Sequence, residues 1–231
     1  STPIKSSAAS DVYKRQTSGL GMEVDDKSIY EVIMGRMKLT DVMEETEFKN
    51  LSIAGSDVRL ANAELELVEV EKREYRLKTA VQSVQQDFDF IFIDCPPSLG
   101  LLTINALGAA DSVLIPIQCE YYALEGVASL MNTISRVKKT INPHLEIEGV
   151  LLTMLDGRTN LGLQVVDEVK KHFKKQVYAT VIPRSVRLGE APSHGEPIHV
   201  YDKRSAGCVA YVNLAKEVLK RNNIKVKEFK L

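Results

Sequence analysis

Residues 87–126 read DFDFIFIDCPPSLGLLTINALGAADSVLIPIQCEYYALEG, and this stretch decides the fold. Phe90, Ile91, Phe92 and Ile93 form a continuous apolar run closed by Asp94, the pattern of a strand covered on both faces. Residues 101–110 then predict a helix, and residues 112–117 (SVLIPI) a second buried strand. Strand, helix and strand at this separation make a βαβ unit, whose crossover favours parallel pairing.

The same alternation continues outward. Upstream, residues 51–54 are a short strand candidate, and Leu77, Ala80, Val81 and Val84 share one helical stripe. Downstream, residues 124–139 predict a long amphipathic helix, 149–154 (GVLLTM) a strand, and 161–173 a helix with Leu161, Val165, Val169 and Phe173 near one face. Residues 178–182 are a further strand and 206–221 the last helix. The expected fold class is α/β, a mostly parallel sheet flanked by helices. Residues 1–16 keep neither hydrophobic period and read as a non-native leader or unstructured tail, which leaves residues 17–231 as the folded part.

Composition sets limits on function. Of 231 residues 44% are hydrophobic and 26% charged, so disordered and fibrous architectures are excluded. Thirty Lys and Arg against 31 Asp and Glu give a net charge of -1, so any nucleic-acid contact must be a local patch. The 3 cysteines, Cys95, Cys119 and Cys208, contain no CxxC pairing, which speaks against a disulfide framework or a structural zinc site. No apolar run reaches the ~18 residues of a membrane span, and the reading is cytoplasmic.

In parallel sheets ligands gather beyond the carboxyl ends of the strands, which places Asp94 first among candidates. A carboxylate there suits Mg2+ held through water, because that ion dehydrates reluctantly; a turn or helix-capping aspartate is the plain alternative. Cys95, Pro96, Pro97, Ser98, Leu99 and Gly100 follow it, two fixed φ angles and a glycine that shape a loop able to respond to a phosphate. His194 and His199 flank Gly195, Glu196 and Pro197 but lack a third ligand. Cys95 reads as packing, and GLGMEV at residues 19–24 lacks the third glycine of a dinucleotide fingerprint.

Residues 87–126 closely resemble the Walker B region of the ParA/Soj chromosome- and plasmid-partition ATPases, in the deviant-Walker P-loop class that includes MinD. The resemblance extends through IEGVLLTMLDGRTNLGLQVVDEV (147–169), IPRSVRLGEAPSHGEPI (182–198) and YDKRSAGCVAYVNLAKEVL (201–219), and back to TSGLG (17–21) and RLANAELELV (59–68). It implies a P-loop NTPase-like fold, ATP and Mg2+ as ligands, a homodimer that binds DNA without sequence preference, stimulation by a ParB-type centromere-binding protein, and a nucleoid-associated location. Asp94 matches the Walker B carboxylate and metal site, and Pro96, Pro97, Ser98 and Gly100 the switch loop. Met154 and Pro183 match the adenine pocket, and Arg184, Arg187, Lys203 and Arg204 the DNA-binding cations. Ala206 departs from the family, which commonly carries Arg there.

The family's phosphate loop, KGGxGKTT, and its DxDPQ segment precede the position matched by TSGLG. No G-x-x-x-x-G-K-[ST] occurs in the 231 residues, and none of the 13 glycines is followed by lysine. The expectation is therefore an N-terminally truncated member, lacking the phosphate-loop strand and helix and inactive as an ATP hydrolase. Two alternatives are a non-catalytic ParA-like adaptor and a MinD-like membrane-positioning ATPase. In residues 222–231 Ile224, Val226 and Phe229 keep no helical stripe, which disfavours lipid binding.

Overall fold

The structure, a computed structural model, describes residues 19–22, 26–95, 98–120 and 123–225. Residues 1–16, expected to be a leader or tail, lie outside the described residues, as do Thr17, Ser18, Pro96, Pro97 and residues 226–231. The chain forms two compact units, residues 1–112 with 132–146 and residues 113–131 with 147–231.

In the first unit, α1 (Ile29–Met34) buries Tyr30, Val32 and Ile33 in six residues and so feeds two apolar clusters. Tyr30 and Ile33 pack with Leu60, Ala63, Leu67 and Leu102, while Val32 joins Leu39, Val42 and Val84. The first cluster brings together α3 (Leu60–Glu66) and α5 (Leu101–Ala109); the second draws on α2 (Leu39–Val42) and the end of the stretch that follows α4 (Arg76–Gln82). The strand expected at residues 51–54 is β2 (Ser52–Ala54), which pairs antiparallel with β1 (Met43–Glu45) and so stands apart from the parallel sheet.

Helix α5 is held by asparagines. Asn105, fully buried, accepts from the Leu77 amide at 3.1 Å and donates to the carbonyls of Arg73 (2.8 Å) and Leu101 (3.0 Å). Asn142 donates to the carbonyls of Leu107 (3.0 Å) and Ala110 (2.7 Å), groups that a helix end leaves without intrahelical donors.

One expectation is corrected. Residues 90–93 form no strand, and among the described residues no ladder includes them. Phe92 is 73% exposed and Ile91 39%, with the Phe90 and Phe92 rings stacked at 6.0 Å. An apolar run becomes a strand only when a neighbouring strand answers its amides and carbonyls, and composition says nothing about whether that neighbour is there.

The second unit carries the sheet β3 (Ser112–Gln118), β4 (Glu146–Leu155) and β5 (Val177–Pro183) in that order, with β4 and β5 parallel. β3 begins at the last residue of the first unit and β4 one residue before the second resumes, while α6 (Ala123–Thr140) is likewise divided between the two. Val150, Leu151, Leu152 and Thr153 are all buried, so successive residues meet cover on both faces. Helix α7 (Asn160–Phe173) buries Val165, Val166 and Val169. After the short helices α8 (Val186–Glu190) and α9 (Ile198–Tyr201), helix α10 (Ala206–Arg221) lays Ala210 and Leu214 against Leu151, Tyr178 and Ile182. Both α7 and α10 start on a side-chain cap, Thr159 accepting from the Gly162 amide and Ser205 from that of Cys208.

The β4–β5 register, Val150↔Val177, Leu152↔Val181 and Leu155↔Pro183, slips twice. β5 first carries the surplus residues, around Ala179 and Thr180, and β4 then carries one near Met154. Gly149 is required by close approach: a Cβ there would lie 2.6 Å from both the Arg221 guanidinium and the Tyr178 ring. Among the described residues no helix is long and apolar enough to cross a membrane.

Candidate functional site

In the first unit, Asp94 is exposed at the end of the unpaired run, and Ser98 is exposed after it. The Cys95 thiol points to the Ile93 carbonyl at 3.8 Å and is pushed up to about 11 by burial and then by the negative charge of Asp94. It is a thiol at neutral pH, without the thiolate that nucleophilic chemistry needs.

Gly100 is the residue on which α5 begins, and a side chain from α3 occupies that end. Glu64 accepts from the Leu102 amide at 3.1 Å, and a Cβ on Gly100 would lie 2.2 Å from its carboxylate. The positive end of α5 is therefore answered by a carboxylate of the chain itself. Thr103 donates to the Ser98 carbonyl at 2.6 Å, which ties the loop to the first turn. Sequence reading missed Glu64, because nothing in the spacing of residues 64 and 100 announces contact.

Among the described residues no group of three or more His, Cys, Asp or Glu is placed to hold a metal ion. A carboxylate such as that of Asp94 suits Mg2+ only where waters and phosphate oxygens complete the shell. His194 stacks on Tyr201 with ring centroids 4.9 Å apart.

In the second unit the structure brings Met154 and Pro183 together. Both lie at the carboxyl ends of neighbouring parallel strands, where Leu155 pairs with Pro183 and the Arg184 amide donates to the Leu155 carbonyl at 3.0 Å. Met154 has φ of 57°, a conformation that costs an L-residue about 1–2 kcal/mol and concentrates at functional positions. Asp156, two residues on, was not singled out from sequence; the Arg158 guanidinium grips it at 2.9 and 2.7 Å and holds its carboxyl well below the usual range.

The four candidate cations divide into two kinds. Arg184 meets Glu120 at 2.6 Å, and Arg187 meets Glu190 at 2.9 Å and Asp202 at 3.5 Å. Lys203 and Arg204 are exposed and make no ion pair among the described residues, while the Arg204 amide donates to Asp202.

Known proteins resemble most of this chain. A family model described as an AAA domain matches residues 9–147. The sporulation initiation inhibitor protein Soj of Bacillus subtilis (strain 168) is 57% identical over 204 residues, 87% of this chain and 81% of that protein. The chromosome partitioning protein ParA of Myxococcus xanthus (strain DK1622) is 50% identical over 210 residues, 90% of this chain and 74% of that one. Among solved structures, cobyrinic acid a,c-diamide synthase from Mycobacterium smegmatis, with bound ATP analogue and magnesium, is 33% identical with a TM-score of 0.76, covering 93% of this chain and 82% of that chain. The α/β fold is that of P-loop NTPases. With identity of this level running along almost nine-tenths of its length, the chain belongs to the Soj/ParA family of chromosome-partitioning ATPases.

Proposed function

We propose that this chain serves DNA segregation as a ParA-type switch: as a homodimer it takes ATP and Mg2+, holds DNA without sequence preference, and releases it when a ParB-type partner stimulates hydrolysis. The observation that carries the reading is the 57% identity to Soj over 204 residues. In this reading Asp94 is the Walker B carboxylate, Pro96, Pro97, Ser98 and Gly100 the switch loop, and Met154 and Pro183 line the adenine. Lys203 and Arg204 meet DNA phosphates first, joined by Arg184 and Arg187. The protein works in the cytoplasm on the nucleoid and needs no membrane.

The 231 residues contain no phosphate-loop motif, and Asp94 alone neither grips a triphosphate nor orients water, so turnover by these residues alone is expected at background. The test is to join a family N-terminus, with its KGGxGKTT loop and DxDPQ segment, ahead of Thr17 and to measure ATPase activity and DNA binding. ATP-dependent binding to unrelated sequences, with hydrolysis raised by a ParB-type protein and lost in Asp94→Ala, is the expected result. Failure of the joined protein to bind ATP would refute the reading, and DNA binding indifferent to nucleotide would favour the adaptor.

A further inference from the structure

Arg184 and Arg187, two of the four cations assigned to DNA, already hold carboxylates. Arg184 pairs with Glu120, 64 residues away in sequence, at 2.6 Å, and both side chains are 52% exposed. Arg187 lies between Glu190 and Asp202, and Glu190 is steadied by the Tyr201 hydroxyl at 3.2 Å. A carboxylate and a phosphate compete for the same planar fork of guanidinium donors. Lys203 and Arg204, next in sequence to Asp202, have no such competitor among the described residues.

We infer that Glu120, Glu190 and Asp202 are built-in competitors for DNA phosphate: they occupy Arg184 and Arg187 in the free protein and must be displaced before those arginines grip the backbone. The inference rests on the DNA-binding reading above. Its energetics are those of exposed ion pairs, whose net worth of about 0–1 kcal/mol makes them weak enough for a phosphate to break. The carboxylates stay close afterwards and repel the duplex, so affinity is held below what four free cations would reach. The device keeps binding shallow and reversible, as a protein that must leave DNA on cue requires. The opposite role, carboxylates that aim the arginines at phosphate, predicts an effect of opposite sign.

The test uses the 231-residue protein, with and without ATP and Mg2+, titrated into a fluorescent random-sequence duplex over a range of salt. Glu190→Gln and Glu120→Gln are each expected to tighten binding about two- to fivefold, the factor set by a surface ion pair. Each should also steepen the log-log salt dependence by up to about 0.9 for every arginine released. Asp202→Asn repeats the test from the other side of Arg187. Glu47→Gln, an exposed carboxylate in the first unit, corrects for net charge alone. Circular dichroism confirms that each variant folds. Should the Gln variants bind no better than Glu47→Gln, or more weakly than wild type, while Lys203→Ala with Arg204→Ala weakens binding, the competitor role is overturned and the DNA reading stands. Absence of salt-dependent binding from every protein in the series overturns the competitor role, while the ATP-dependent DNA reading is decided separately by the protein with the joined N-terminus.

Discussion

Glu217 on α10 receives Thr180 of β5 twice, from its backbone amide at 3.0 Å and from its hydroxyl at 2.9 Å. The neighbouring Ala179 amide donates to the other carboxylate oxygen at 2.9 Å. These two amides sit where β5 carries surplus residues relative to β4, so the ladder leaves them without strand partners, and one carboxylate satisfies both. Arg221, one turn along, completes the arrangement, donating to Glu217 at 3.0 Å and lying 3.7 Å above the Tyr178 ring.

Removing that carboxylate takes the partner from the half-buried Thr180 amide and from the exposed Ala179 amide. Glu217→Ala is expected to destabilise the protein by about 1–3 kcal/mol, the cost of leaving such groups unsatisfied, read as a lower urea midpoint. Burial pushes the Glu217 carboxyl up, but the Ala179 and Thr180 donors and Arg221 outweigh it and bring it below its ordinary value of 4.5. A depressed carboxyl stabilises fully above its unfolded value and loses that contribution as pH falls through the folded one. Acidification below pH 4.5 should therefore cost wild type more stability than it costs Glu217→Gln.

Arg221 acts through shape as well as charge. Its guanidinium donates to the carbonyls of Glu148 (3.2 Å) and Val177 (3.0 Å) while stacked on Tyr178. Lysine can keep the charge and cannot keep the planar fork. Arg221→Lys should lose about 1 kcal/mol or more in chemical denaturation. Wild-type stability from Arg221→Lys would show that charge alone suffices.

Gly100 and Glu64 form a pair that a double-mutant cycle can isolate. Gly100→Ala forces the Glu64 carboxylate off the Leu102 amide, and because Glu64 is a flexible side chain the expected loss is only about 1 kcal/mol, one hydrogen bond. In a Glu64→Ala background the same substitution should be close to neutral, a coupling that thermal melts of the four proteins would reveal. Equal costs in both backgrounds would mean that α5 begins independently of Glu64.

Met154 holds φ of 57° one residue before the end of β4, where its register with β5 slips. Met154→Val adds a β-branch in that conformation and should destabilise by about 1 kcal/mol or more, whereas Met154→Gly removes the backbone cost and should come close to wild type. Thermal unfolding of the two variants orders them, and a Val variant more stable than the Gly variant would remove the strain argument.

From residue 101 onward the chain announces itself. The helix expected at 206–221 is Ala206–Arg221, and those expected at 161–173 and 124–139 lie within one residue of Asn160–Phe173 and Ala123–Thr140. Such elements are written in local periodicity, which needs no knowledge of partners. The family is legible for the same reason, since collinear motifs survive in order along one chain. Tertiary structure alone decided the rest. Phe90 to Ile93 had the composition of a buried strand and found no ladder among the described residues. Glu64 closed the end of a helix 36 residues later in the sequence, Arg184 and Arg187 acquired carboxylates, and Glu217 filled a gap in a sheet it does not belong to. Each depends on which distant groups meet once the chain has closed on itself, and pairing of backbone and charge across that distance leaves no periodic trace in the residues that take part.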